Sequence, residues 1–178
     1  MDCDIYDKVT SFYKSVTADE NHRYKSWEHC YLHFMDDNAS SDVDKSCLHL
    51  SFYLASWGMY RGSSFLLWKD YRIHKAVVEQ LLKKRKFQKF DFSSIEDADL
   101  EKIIDLAKWI EDWYRVNITV VNDKQKQVNA TDTLVTKIML GTIGCIPAYD
   151  RYFIKGMRRS GIKYSKLSVK NLKSVSQY

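Results

Sequence analysis

The chain has 178 residues, 45% of them hydrophobic and 29% charged, and a net charge of +5. At that length about two-thirds of the unfolded surface becomes buried on folding, so one self-sufficient domain over residues 1–178 is expected. No apolar run approaches the roughly 18 residues that cross a bilayer, which excludes a membrane span, and the acidic start MDCDIYDK lacks the order of a signal peptide, which points to the cytoplasm.

One proline, six glycines and no Pro-, Gly- or Ser-rich linker argue for continuous helices with short connections. The expected fold is all-α, a compact bundle of about seven or eight helices. Cys3, Cys30, Cys47 and Cys145 form no C-x-x-C pair and are expected as free thiols.

In chain order, Ile5, Val9, Phe12, Tyr13 and Val16 fit one helix face that ends at the polar TADEN. A second helix is expected over residues 26–36, capped by Ser26, with Trp27, Tyr31 and Phe34 as an aromatic face. NASSDVD reads as a loop. Asp42 or Asp44 caps a long helix over residues 43–60, whose large side chains on most faces mark the buried centre.

A helical stretch over residues 63–86 follows, with a break near Asp70. Ile73, Val77, Val78, Leu81 and Leu82 face inward, and Lys83, Lys84, Arg85 and Lys86 complement the dipole at its end. Ser94 and Asp97 make an approximate capping box before a helix that is apolar at Leu100, Ile103, Ile104, Ala107 and Ile110. ITVV at residues 118–121 reads as a brief extended piece with nothing obvious to pair with, and NDKQKQVNA as a polar connection. Trp27, Trp57, Trp109 and Trp113 lie within helical apolar patterns, whereas Trp68, beside Lys69 and Arg72, is expected at the surface.

Residues 131–161, TDTLVTKIMLGTIGCIPAYDRYFIKGMRRSG, read as helix, turn, helix. Thr131 caps the first helix and Gly141 and Gly144 end it; Pro147 opens the second, which runs over residues 148–159 and stops at Gly161. Its apolar row is Tyr149, Phe153 and Met157, and Arg151, Lys155, Arg158 and Arg159 occupy the remainder. Free N–H groups at such a helix start would point into the turn, where an anion could sit.

LGTIG and IPAYDRYF, within residues 137–153, resemble pieces of the helix-hairpin-helix DNA glycosylases, including their archaeal oxoguanine branch. That resemblance implies a glycine hairpin that holds DNA phosphate through backbone amides, with Asp150 matching the catalytic aspartate and Lys137 the nearest candidate for a Schiff-base lysine. The chain departs from the family pattern in its G-x-x-G spacing, in a lysine that precedes the turn, and in the six residues from Gly144 to Asp150.

Charge is uneven: eight of the 28 Lys and Arg residues and none of the 23 Asp and Glu lie from Arg151 onward. That segment, with residues 162–178 as a possible extended or peripheral tail, either grips phosphates or is a solvated basic end. In WGMYRG, Arg61 between Gly58 and Gly62 suits a ligand phosphate, and the same glycines suit tight packing and a helix stop. His29 and His33 share a helix side that could hold a metal with Cys47 and His49; hydrogen-bonded packing is the competing reading, and no metal or cofactor is assigned. There is no G-x-S-x-G elbow, P-loop or dinucleotide fingerprint.

The expected function is a cytoplasmic nucleic-acid-binding protein, with DNA the expected partner and no membrane. Its enzymatic version is a base-excising glycosylase or lyase with Asp150 and Lys137 as catalytic residues. Gly141, Gly144, Arg151, Lys155, Arg158, Arg159, Arg61 and Trp68 are the expected nucleic-acid contacts. The alternative is a non-enzymatic helical interaction module whose basic tail binds an acidic partner.

Overall fold

The computed structural model describes residues 5–85, 87, 95–164 and 166–177. They form eight α-helices: α1 Ile5–Ala18, α2 Lys25–Met35, α3 Val43–Ser56, α4 Lys75–Lys83, α5 Asp97–Asn117, α6 Asp132–Thr142, α7 Arg151–Arg159 and α8 Val169–Ser176. Short 3-10 turns span Asp37–Ser41, Phe65–Trp68 and Tyr71–His74, and a hairpin of β1 (Val120–Val121) and β2 (Lys124–Gln125) precedes α6. No helix among the described residues is long and apolar enough to cross a membrane.

The centre is α3, which packs against α2, α4 and α6; α6 also packs on α2 and α5, and α8 on α5. Leu50, Tyr53 and Leu54 of α3 are buried together with Leu81 of α4, Ile103 and Ile110 of α5 and Ile138 of α6 in one apolar cluster. Each such side chain contributes about 1.5–3 kcal/mol on burial. Leu48 and Phe52 of α3 remain exposed, so this helix is less enclosed than its composition suggests.

Local chemistry sets the boundaries. Asp42 accepts a hydrogen bond from Lys45 N at 2.9 Å and starts α3. Gly58, at φ 75°, ends it, with Met59 N donating to Leu54 O at 2.8 Å. The stretch over residues 63–86 divides as expected near Asp70. Ser64 and Asp70 side chains each accept a backbone N–H two residues on, closing short turns instead of letting one helix continue.

Several expectations are corrected. Ser26 sits inside α2 with Tyr24 at the cap position, and its hydroxyl caps nothing. Glu96 precedes α5 without a side-chain cap, while the Ser94 half of the expected capping box, like Lys86 and Cys3, lies outside the described residues. The extended piece has a partner after all: Val120 pairs with Gln125 and Val121 with Lys124 across Asn122 and Asp123, both at positive φ. On α1, among the residues whose burial is described, only Val16 is buried, and Val9, Phe12 and Tyr13 are exposed. Trp109 is also exposed, whereas Trp27, Trp57 and Trp113 pack against the core.

One buried feature had no expectation attached to it. His74 is fully buried, bonded through Nδ1 to Tyr114 Oη and through Nε2 to Tyr60 Oη at 2.9 Å, and Tyr60 donates to Ser51 Oγ at 3.2 Å. This chain of polar groups crosses from α3 to α5 through the start of α4. Burial pushes the His74 imidazole down to about 3.

Candidate nucleic-acid interface

Thr131 caps α6 as expected, its hydroxyl accepting from Leu134 N at 3.4 Å. From Leu134 to Met139 every residue of the helix is buried. Gly141 does not end α6 but lies inside its last turn, where a Cβ would come within 2.3 Å of the Tyr53 ring. Gly144, at φ 64°, is the terminator, and its N–H donates to Met139 O at 2.9 Å. The two glycine amides therefore do not make an open anion cradle, because one belongs to a buried helix and the other closes that helix.

The second helix also starts later than expected. Tyr149 is pinned to α6, its N–H donating to Thr136 Oγ1 at 2.8 Å and its carbonyl accepting from Thr133 Oγ1 at 2.9 Å. Those bonds hold the segment around Pro147 in non-helical conformation. Asp150 then caps α7, Oδ1 accepting from Tyr152 N at 2.9 Å and Phe153 N at 3.0 Å.

The two sides of α7 differ completely. Phe153 packs edge-on to Tyr149 at 5.0 Å and Met157 is buried. Arg151, Tyr152, Lys155, Arg158 and Arg159 are exposed and, at 100° per residue, fall within about 120° of the helix circumference. Among the described residues none of these four cations forms an ion pair. The Arg151 guanidinium lies 4.6 Å from the Tyr152 ring centroid and donates to its hydroxyl at 2.7 Å.

Lys137, on the buried stretch of α6, is only 5% exposed. Its Nζ donates to Trp57 O at 3.0 Å and sits 5.5 Å from the Trp57 ring centroid. Burial pushes the Lys137 ammonium below the usual lysine value; Asp150 opposes that shift, and Arg61 and Arg23 add to it. Asp150 and Arg61 thus both bear on the Lys137 charge, in opposite directions. Arg23 completes the group, its Nη2 donating to Ser56 O at 2.8 Å. Trp68 is 52% exposed on the turn that follows the Arg61 loop.

The C-terminal segment is not peripheral. Asp132 accepts from Tyr164 Oη and from Leu167 N, Leu167 and Leu172 are buried, and Lys173 pairs with Asp97 at 2.7 Å. Lys163, Lys166 and Lys170 stay exposed. The reason is a second apolar pattern, Leu167, Val169, Leu172 and Val175, that the count of cations obscured. On α2, His33 stacks on His49 at 4.1 Å and bonds Ser46 Oγ at 2.8 Å, and among the described residues no three metal-binding side chains converge.

Tyr152 and Arg23 were not among the expected contacts. Tyr152 was accessible to helical spacing, being one step round from Arg151, whereas Arg23 joins the site only through tertiary packing. No protein-family model matches the chain, and neither curated proteins nor solved structures give a significant match.

Proposed function

We propose that this protein binds nucleic acid, with DNA the expected form, along the exposed face of α7. The observation that carries this reading is a single helix face with four cations, Arg151, Lys155, Arg158 and Arg159, that form no ion pair among the described residues, and one exposed aromatic ring, Tyr152. Cations at that spacing neutralise successive backbone phosphates and release their counterions. Tyr152 offers a surface on which a base can stack.

Fluorescence anisotropy with duplex and single-stranded DNA tests it. Four phosphate contacts predict a slope of log K against log salt of about −3 to −4, and Arg158→Ala with Arg159→Ala reduces it by about 2. Absence of binding at low salt, or a slope that the double variant leaves unchanged, overturns the reading. Preferential binding of an acidic polypeptide over DNA would instead favour the interaction-module alternative.

The electrostatic influence of Asp150 on Lys137 favours a second reading, base excision. Asp150 Oδ1 holds the cap while Oδ2 accepts no hydrogen bond among the described residues, leaving a carboxylate oxygen for the cationic sugar that forms as a base leaves. Lys137, with its lowered pKa, would be the nucleophile, but its enclosure requires the Trp57 contact to open first. Release of a base from damaged duplexes, lost in Asp150→Asn with the fold intact, is the expected result. No release from any modified duplex overturns it.

A further inference from the structure

A cleft of about 440 Å³ opens between the loop that leaves α3 and the segment that leads into α6. Its floor is apolar, formed by Phe65, Val128 and Leu134 with Met59 beside them. Its rim carries Arg61, Lys126, Ser63 and Asn129. Among the described residues no Asp or Glu lines it, and neither Arg61 nor Lys126 forms an ion pair. Two cations facing one cavity without a carboxylate repel each other, and an anion between them removes that repulsion.

The local fold holds both sides in place. Gly58, at φ 75°, presents bare backbone to the Arg61 side chain, and a Cβ there would lie 3.1 Å from the guanidinium carbon. Opposite, Lys126 N donates to Thr119 O at 2.8 Å, and buried Val128 and Ala130 anchor the segment that follows.

We infer that this cleft binds a phosphate ester the size of a mononucleotide, with the phosphate between Arg61 and Lys126 and the flat ring over Phe65 and Leu134. The volume lies in the range of small-molecule sites, and an apolar floor with a few convergent polar groups is their usual chemistry. The guanidinium fork of Arg61 matches two phosphate oxygens. None of the α7 side chains takes part, so this assignment stands or falls separately from the α7 surface.

The test is an NMR titration at low salt with the four nucleoside monophosphates, and with adenosine, inorganic phosphate and a short oligonucleotide as separate arms. The expected result is saturable amide shifts at Arg61, Phe65 and Asn129 with at least one mononucleotide. Adenosine and phosphate alone bind at least about tenfold more weakly, and Arg61→Ala weakens the nucleotide about tenfold or more. Arg158→Ala with Arg159→Ala leaves that affinity unchanged. The inference is overturned if millimolar mononucleotide shifts none of these amides, or if inorganic phosphate binds as well as the nucleotides. An oligonucleotide that binds here where no mononucleotide does also overturns it, and assigns the cleft to a unit of the polymer.

Discussion

Gly141 lacks a Cβ that would stand 2.3 and 2.6 Å from two carbons of the Tyr53 ring, and that ring is itself buried with no free end to swing away. Gly141→Ala is therefore expected to destabilise the fold by about 1–3 kcal/mol, read as a lower urea midpoint. Gly156 sits in α7 with nothing within 4 Å of the missing Cβ and with no left-handed backbone to preserve. The same change there should raise stability by about 0.5–1 kcal/mol, because alanine restricts the unfolded chain and favours helix. A loss of stability in Gly156→Ala would mean that this part of α7 is not an open helical surface. One residue type thus answers two different needs, and only the neighbours tell them apart.

Asp150 decides where α7 begins, since its Oδ1 takes the first free N–H groups while Tyr149 is still held to α6. Asp150→Ala should cost about 1 kcal/mol in thermal or urea unfolding, and Asp150→Asn much less, since asparagine caps nearly as well. An equal loss in both variants would show that the carboxylate charge matters and not the cap. The amphipathic pattern of α7 was legible because Phe153, Met157 and the cations obey helical spacing. Its starting point was not legible: Pro147 signals a first turn, but the threonines of α6 that hold Tyr149 lie 13 and 16 residues away. The hairpin was missed for a related reason. Its strands are two residues each, and the signal lay in the Asn-Asp turn that NDKQKQVNA conceals among polar neighbours. Lys137, Asp150 and Arg61 are legible in the sequence as residue types suited to phosphate or sugar chemistry, whereas the influence of Asp150 and Arg61 on the Lys137 charge is set by tertiary packing.

Across the whole molecule, periodicity located the helices, yet the polar link that joins three of them follows no period. His74 meets Tyr60 and Tyr114 at separations of 14 and 40 residues, and only folding puts these groups together. That link has a consequence for acid stability. The native state keeps His74 neutral down to about pH 3, while the unfolded chain takes up a proton near the ordinary value of 6.5. Between those limits the unfolded state binds more protons, so stability falls as pH falls, by about 1.4 kcal/mol per unit once below the unfolded value. His33, lowered to about 4 by burial and by His49, acts in the same direction over a narrower window. Asp44, held low by Tyr71 and Arg72, and Asp112, held low by Arg115, contribute stability that is lost only in the more acidic carboxylate range. The interval from about pH 6.5 to about pH 5 therefore isolates the histidines, and urea unfolding should lose about 1.6 kcal/mol across it from His74 alone. A midpoint that stays flat over that interval would mean that His74 accepts a proton inside the folded protein, and that the link between α3, α4 and α5 is open to solvent.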